Sequence, residues 1–193
     1  MAEIVDFHFD PACPWAWQTA LWIHEVERLR DVEIRWRFFS LKTVNAGGEY
    51  RLAQITPALR ALALVRRQAG NDGVARLYDA LGVRIHEGGD KPTTEVVAAA
   101  LEAAGFSSDL VHAALDDDST ADDVRVDHDR AVAAVGAFGV PTIILESGKG
   151  IFGPVVASAP RGEAAGELWD SVRPLIELDG FYELKRERDR RPG

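Results

Sequence analysis

The chain has 193 residues, with 22 Lys and Arg against 31 Asp and Glu and a formal net charge of −9. That length favours a single domain with a substantial core, and the acidic balance opposes binding to polyphosphate backbones, which calls for a basic face. No apolar run approaches the roughly 18 to 20 residues that span a bilayer. A single cysteine, Cys13, excludes an internal disulfide and a multi-cysteine zinc site. The first residues enter a strand pattern without a basic, apolar and small-residue leader, so a cytoplasmic protein with no nucleic-acid or membrane partner is expected.

Val5, Phe7 and Phe9 alternate with Asp6, His8 and Asp10, the two-residue period of a strand, and Asp10-Pro11 breaks it. Pro14 suits the first turn of a helix expected to reach Arg30, with Ala16, Ala20, Trp22, Ile23, Val26 and Leu29 on its inner arc. Val32 to Phe39 alternates again as a second strand, which must pair in parallel with the first. From Gly47 to Gly139 there is no strand pattern. Helices are expected from Thr56-Pro57 to Gly70, around Val74 to Gly82, from Thr94 to Ala104, after Ser107 or Ser108, and from Thr120 to Phe138. Thr142 to Leu145, a Gly-rich turn and Ile151-Phe152 form a hairpin, and a last helix from about Gly162 carries an apolar stripe and Pro174. The basic run Lys185 to Arg191 is interrupted by acids and reads as a solvated tail.

Cys13 follows a strand and opens a helix, so its sulfur is expected near unpaired amides and the positive end of the helix dipole. Both favour the thiolate and make Cys13 the catalytic candidate. His24, His112 and His128 fit solvated helix faces. No metal-ligand spacing appears, and Asp116 to Asp118 reads as a helix end rather than a calcium loop.

The segment from Val5 to Ala16, with Cys13-Pro14-Trp15-Ala16 at its end, resembles the active-site segment of the DsbA-like branch of the thioredoxin superfamily. Gly82-Val83-Arg84-Ile85-His86, Gly139-Val140-Pro141-Thr142-Ile143, Phe152-Gly153-Pro154-Val155, Pro160-Arg161-Gly162-Glu163 and Leu168-Trp169-Asp170 are similar to actinobacterial mycothiol-dependent reductases. The resemblance implies an α/β thioredoxin fold with a large all-helical insertion. Its thioredoxin-like core would be residues 1–46 and 139–180 and its insertion 47–138, all in one domain. It also implies a cis bond at Pro141, a groove lined by Pro14, Trp15, Asn45, His86, Val140 and Pro141, and a buried carboxylate at Asp6, paired with His8, as proton relay.

The family's second cysteine is replaced by Ala16. The expected chemistry is therefore a thiol-dependent oxidoreductase in which Cys13 alone forms a mixed disulfide. An external thiol, mycothiol or glutathione, would resolve it as co-substrate, with no tightly bound cofactor and a disulfide or electrophile as the other substrate. Two other readings stay open, a thiol transferase or isomerase resembling the kappa-class glutathione transferases and a non-catalytic binding module, as does pairing into a homodimer.

Overall fold

The computed structural model describes residues 2–47 and 55–193. The two alternating segments form one edge strand and its inner neighbour in a four-stranded sheet of order β2-β1-β3-β4. Strand β1 (Glu3–Phe9) pairs in parallel with β2 (Val32–Phe38), with Val5 opposite Ile34 and Phe7 opposite Trp36. Helix α1 (Pro14–Leu29) makes the crossover. On the other side β1 runs antiparallel to β3 (Thr142–Leu145), with His8 opposite Thr142, and β3 pairs with β4 (Gly150–Phe152). Helix α7 (Glu163–Glu177) packs along α1, where Trp22 donates from Nε1 to the Ala165 carbonyl at 3.0 Å. Leu29, expected on the inner arc, is exposed instead at the last residue of α1.

The insertion contains α2 (Leu41–Asn45), α3 (Pro57–Gly82), α4 (Thr94–Ala103), α5 (Leu110–Asp116) and α6 (Ser119–Val135). The two helices expected on either side of Gly70 are continuous in α3 apart from Gly70 itself, whose φ of 63° breaks the helical path. At Gly82 the chain does not stop as expected but continues as a π turn over Val83–Glu87. The glycine is needed there for another reason: a Cβ at Gly82 would lie 2.2 Å from the Trp17 ring. Helix α6 ends three residues before Phe138, on Gly136 in the left-handed conformation.

The two faces of β1 meet different partners. Val5, Phe7 and Phe9 are fully buried, and the Phe9 ring stacks on Tyr78 of α3 at 4.0 Å while Phe7 and Phe9 meet Trp36 edge-on. The Asp6 and His8 face turns toward α6 through Arg130.

The outer edge of β2 has no strand neighbour, yet its amides are satisfied. Ile34 donates to Glu27 Oε1, Trp36 to Asn71 Oδ1 and Phe38 to Asp127 Oδ2, all at 2.9–3.1 Å, and Asn71 Nδ2 returns a bond to the Ile34 carbonyl. Three helices thus supply side chains where another strand would supply backbone.

Candidate active site

Cys13 is the N-cap of α1, with Pro14 in the first helical turn. Its backbone N–H donates to the Asp10 carbonyl at 2.9 Å and its carbonyl accepts from Trp17 N at 3.0 Å, which fixes the residue at the junction of strand and helix. The sulfur accepts the Ala16 amide at 3.4 Å and, as a thiol, lies 3.7 Å from the Val140 carbonyl. The Val140–Pro141 peptide is cis. The fold therefore brings Cys13, Pro14, Val140 and Pro141 together although 127 residues separate the sulfur from its carbonyl partner.

The electrostatics correct the expectation of a resting thiolate. Cys13 is 7 % exposed, and burial pushes its thiol above the ordinary range. The Ala16 and Trp15 amides act in the opposite direction, as the helix start predicts, but do not outweigh the lost hydration. Among charges, Asp10 disfavours the thiolate and Arg188 favours it.

In the sequence Asp10 marks only the end of the strand. It is 2 % exposed, and its carboxylate accepts the Ala12 and Leu41 amides, each at 2.9 Å, tying the cysteine loop to the start of α2. Burial pushes its carboxyl up and those two amides hold it back. Tyr78 is buried without a hydrogen-bond partner for its hydroxyl. Burial, and then the neighbouring Cys13 and Asp10, keep that phenol well above its usual range. His86, in the π turn, bonds through Nε2 to the Pro11 carbonyl at 2.8 Å and stacks on Trp17, and burial pushes its imidazole down, so the neutral ring donates to the loop.

The expected Asp6–His8 pair is not formed. Asp6 instead binds Arg37 at 2.9 Å and Arg130 at 3.4 Å, and the groups whose charges bear on Cys13 are Asp10 and Arg188. His8 has no exposure, neither ring nitrogen has a hydrogen-bond partner, and burial pushes it from 6.5 to about 4. Asn45 lies exposed at the end of α2, and among the described residues no hydrogen bond joins it to the cysteine loop. His128 is not solvated as expected. Its Nδ1 accepts the Ser40 amide at 3.2 Å and its ring lies 4.2 Å from Phe39. Trp15 is half-buried, and the Arg188 guanidinium lies 4.6 Å over its ring, so the basic tail returns to the site. Two hollows on the insertion, lined by Thr94 to His112 and by Arg76 to Gly105, include no residue of the cysteine loop. Among the described residues no group of three His, Cys, Asp or Glu side chains is placed to hold a metal, and no helix is long and apolar enough to cross a membrane.

A sulfur at the head of the first helix, facing a cis X–Pro bond across a β-α-β and β-β-α sheet, defines the class: a thiol-dependent oxidoreductase of the DsbA-like thioredoxin fold. The probable DsbA oxidoreductase SCO1869 of Streptomyces coelicolor superposes with a TM-score of 0.64 at 21 % identity over 97 % of this chain and 94 % of that one. The cytosolic disulfide reductase DsbM of Pseudomonas aeruginosa, solved with GSH, superposes at 0.59 and 17 % identity over 91 % of this chain and all of that one. The model of the Rv2466c-like family, described as mycothiol-dependent nitroreductase Rv2466c, matches residues 12–186, and the chain belongs to that family. It is also 42 % identical over 188 residues to the uncharacterized protein Rv2286c of Mycobacterium tuberculosis (strain ATCC 25618 / H37Rv), covering 94 % of this chain and 81 % of that protein.

Proposed function

We propose that this protein is a monothiol oxidoreductase in which Cys13 forms a mixed disulfide and a low-molecular-weight thiol from solution, mycothiol or glutathione, resolves it. The observation that carries the reading is Ala16. Its amide meets the Cys13 sulfur, and its fully buried methyl group occupies the position three residues on, where the Cys-Pro-Trp-Cys motif has a second thiol. No internal sulfur can displace a bound one.

In the first step Cys13 loses its proton and attacks one sulfur of a disulfide R–S–S–R′. A bond forms between Cys13 and that sulfur, the substrate S–S bond breaks, and R′–S⁻ leaves and takes up a proton. In the second, the thiolate of the co-substrate attacks the mixed disulfide, and Cys13 leaves as thiolate while the new small disulfide departs. The Ala16 and Trp15 amides favour sulfur carrying negative charge, so they assist Cys13 both as it attacks and as it leaves. The Val140 carbonyl accepts the thiol hydrogen in the resting state, and His86 and Asp10 hold the loop. Exposed Pro14 and half-buried Trp15 border the approach of an incoming sulfur, and buried Pro141 lies beneath it with Val140. The family's mycothiol dependence and a single unbridged cysteine support a reducing, cytoplasmic setting for this chemistry.

Intact-mass measurement after incubation with oxidised mycothiol or oxidised glutathione tests the proposal. One adduct is expected on the wild type and none on Cys13→Ser, and free thiol should remove it. A wild type that stays unmodified refutes the reading.

A further inference from the structure

The C-terminal segment was expected to be a solvated tail. It leaves α7 beyond Glu177, crosses to the other end of the sheet and reaches the cysteine loop. Arg188 covers the Trp15 ring, and Gly193 N donates to the Ala157 carbonyl at 3.2 Å. From Glu183 to Arg191 it carries five cations and three acids, in a chain whose acids outnumber its cations. Most described arginines of the core and insertion are spent on acids, such as Arg30 on Asp170 and Glu163, Arg37 on Asp6, Arg66 on Asp127 and Arg173 on Glu3. Among the described residues no carboxylate lies within ion-pair distance of Arg188. Arg188 is exposed and its guanidinium lies over an indole two residues from the reactive sulfur, which leaves N–H groups available to a ligand.

We propose that Arg188 determines specificity at the Cys13 site, selecting disulfides and electrophiles that carry an anionic group, a carboxylate or sulfonate, beside the atom attacked. The inference rests on Cys13 being the nucleophile. Two features make the position effective. Arg188 lies 4.6 Å over the ring of Trp15, two residues along the chain from Cys13, which puts a cation beside the sulfur a substrate must reach. The indole underneath holds the guanidinium at the mouth of the site rather than leaving it to sweep through solvent, and a planar donor of this kind binds a carboxylate in two-point fashion. The match to the family model ends at residue 186, so this determinant lies beyond the stretch by which the chain is assigned.

Two aromatic disulfides of opposite charge character provide the test: the dianion 5,5′-dithiobis(2-nitrobenzoate) and the neutral 4,4′-dithiodipyridine. With either, the Cys13 thiolate attacks one sulfur, a Cys13–S–S–aryl bond forms, the original S–S bond breaks, and one arylthiolate leaves with the electron pair and is read by its absorbance. Second-order rates are measured for the wild type, Arg188→Gln, Arg188→Lys and Arg186→Gln, the last removing a charge from the same segment. Because Arg188 favours the thiolate, Arg188→Gln slows both probes, so the anionic-to-neutral rate ratio is the readout. The ratio is expected to fall about fivefold in Arg188→Gln, the size of one exposed ion-pair interaction, and less than about twofold in Arg186→Gln. Arg188→Lys should recover part of it, and added salt should shrink the wild-type ratio toward that of Arg188→Gln. An unchanged ratio in Arg188→Gln, or an equal fall in Arg186→Gln, overturns the assignment while leaving Cys13 as nucleophile. If neither probe releases arylthiolate from the wild type, the nucleophile itself is wrong and the specificity role falls with it.

Discussion

Acidification acts on this protein through His8. The imidazole is fully enclosed between β1, β2, β3 and α6, and burial brings it down to about 4. The Asp6 carboxylate favours the cation, Arg37 and Arg130 oppose it, and the Thr142 backbone favours it weakly without a formed hydrogen bond. Above pH 6.5 the ring is neutral in both folded and unfolded chains, and pH has no effect through it. Below 6.5 the unfolded chain alone takes up the proton, so stability falls with pH until about 4, where the folded ring protonates too and the loss levels off. At about 1.4 kcal/mol per pH unit the full loss is about 3 kcal/mol, and about 2.5 kcal/mol of it is present by about pH 4.5. Urea unfolding of the wild type and His8→Phe near pH 7 and near pH 4.5 measures this directly. Carboxylates titrate in both proteins, so the quantity of interest is the difference between their acid losses, with the wild type losing about 2.5 kcal/mol more. Removing two unpartnered ring nitrogens should also leave the variant no less stable near pH 7 than an ordinary core replacement allows. Equal acid losses in the two proteins would show that His8 is not held neutral by its surroundings.

Three further outcomes follow from the site. Asp10→Asn removes the acid that disfavours the Cys13 thiolate. The iodoacetamide rate profile of Cys13 should move to lower pH, with a stability cost of about 1–3 kcal/mol, since the Ala12 and Leu41 N–H groups meet different carboxylate oxygens and an amide replaces one of those with a donor. A profile that stays in place or moves up refutes the coupling. Ala16→Cys supplies a sulfur three residues on, so the small-thiol adduct on Cys13 should become transient and give way to an internal disulfide, detected by intact mass. A long-lived adduct in that variant would contradict the role given to Ala16. Gly82→Ala drives a methyl group into the Trp17 ring, and thermal unfolding should report a loss of about 1–3 kcal/mol.

The local signals were legible in sequence because they are written in neighbouring residues. The alternation of Val5, Phe7 and Phe9, Pro14 behind Cys13, Thr56-Pro57 and Gly70 each mark what the backbone does within a few positions, whereas the stop at Gly136 is hidden by an apolar pattern that runs on to Phe138. The π turn was missed because Val83 to Glu87 holds no breaker after Gly82, and its path depends on Trp17 packing on that glycine and His86 reaching Pro11. The choice between Asp6 and Asp10 is harder. Alternation puts Asp6, His8 and Asp10 on one strand face, but Asp6 is claimed by Arg37 and Arg130, which arrive from β2 and α6, while Asp10 lies past the strand and turns to Ala12 and Leu41. The Cys13 thiol escapes the sequence for a similar reason: a helix start is local and readable, whereas the enclosure that raises the thiol is assembled from distant segments such as Val140. Composition likewise described the tail as soluble without indicating that Arg188 would settle on Trp15.

The side chains that occupy the β2 margin restrict how this protein meets others. With Glu27, Asn71 and Asp127 already bonded to Ile34, Trp36 and Phe38, a foreign extended segment finds no row of vacant donors there and would have to evict three helices to add itself. Sheet growth, whether by a second copy or by an aggregating chain, is thereby confined to the opposite margin, where β4 offers only the three residues Gly150–Phe152.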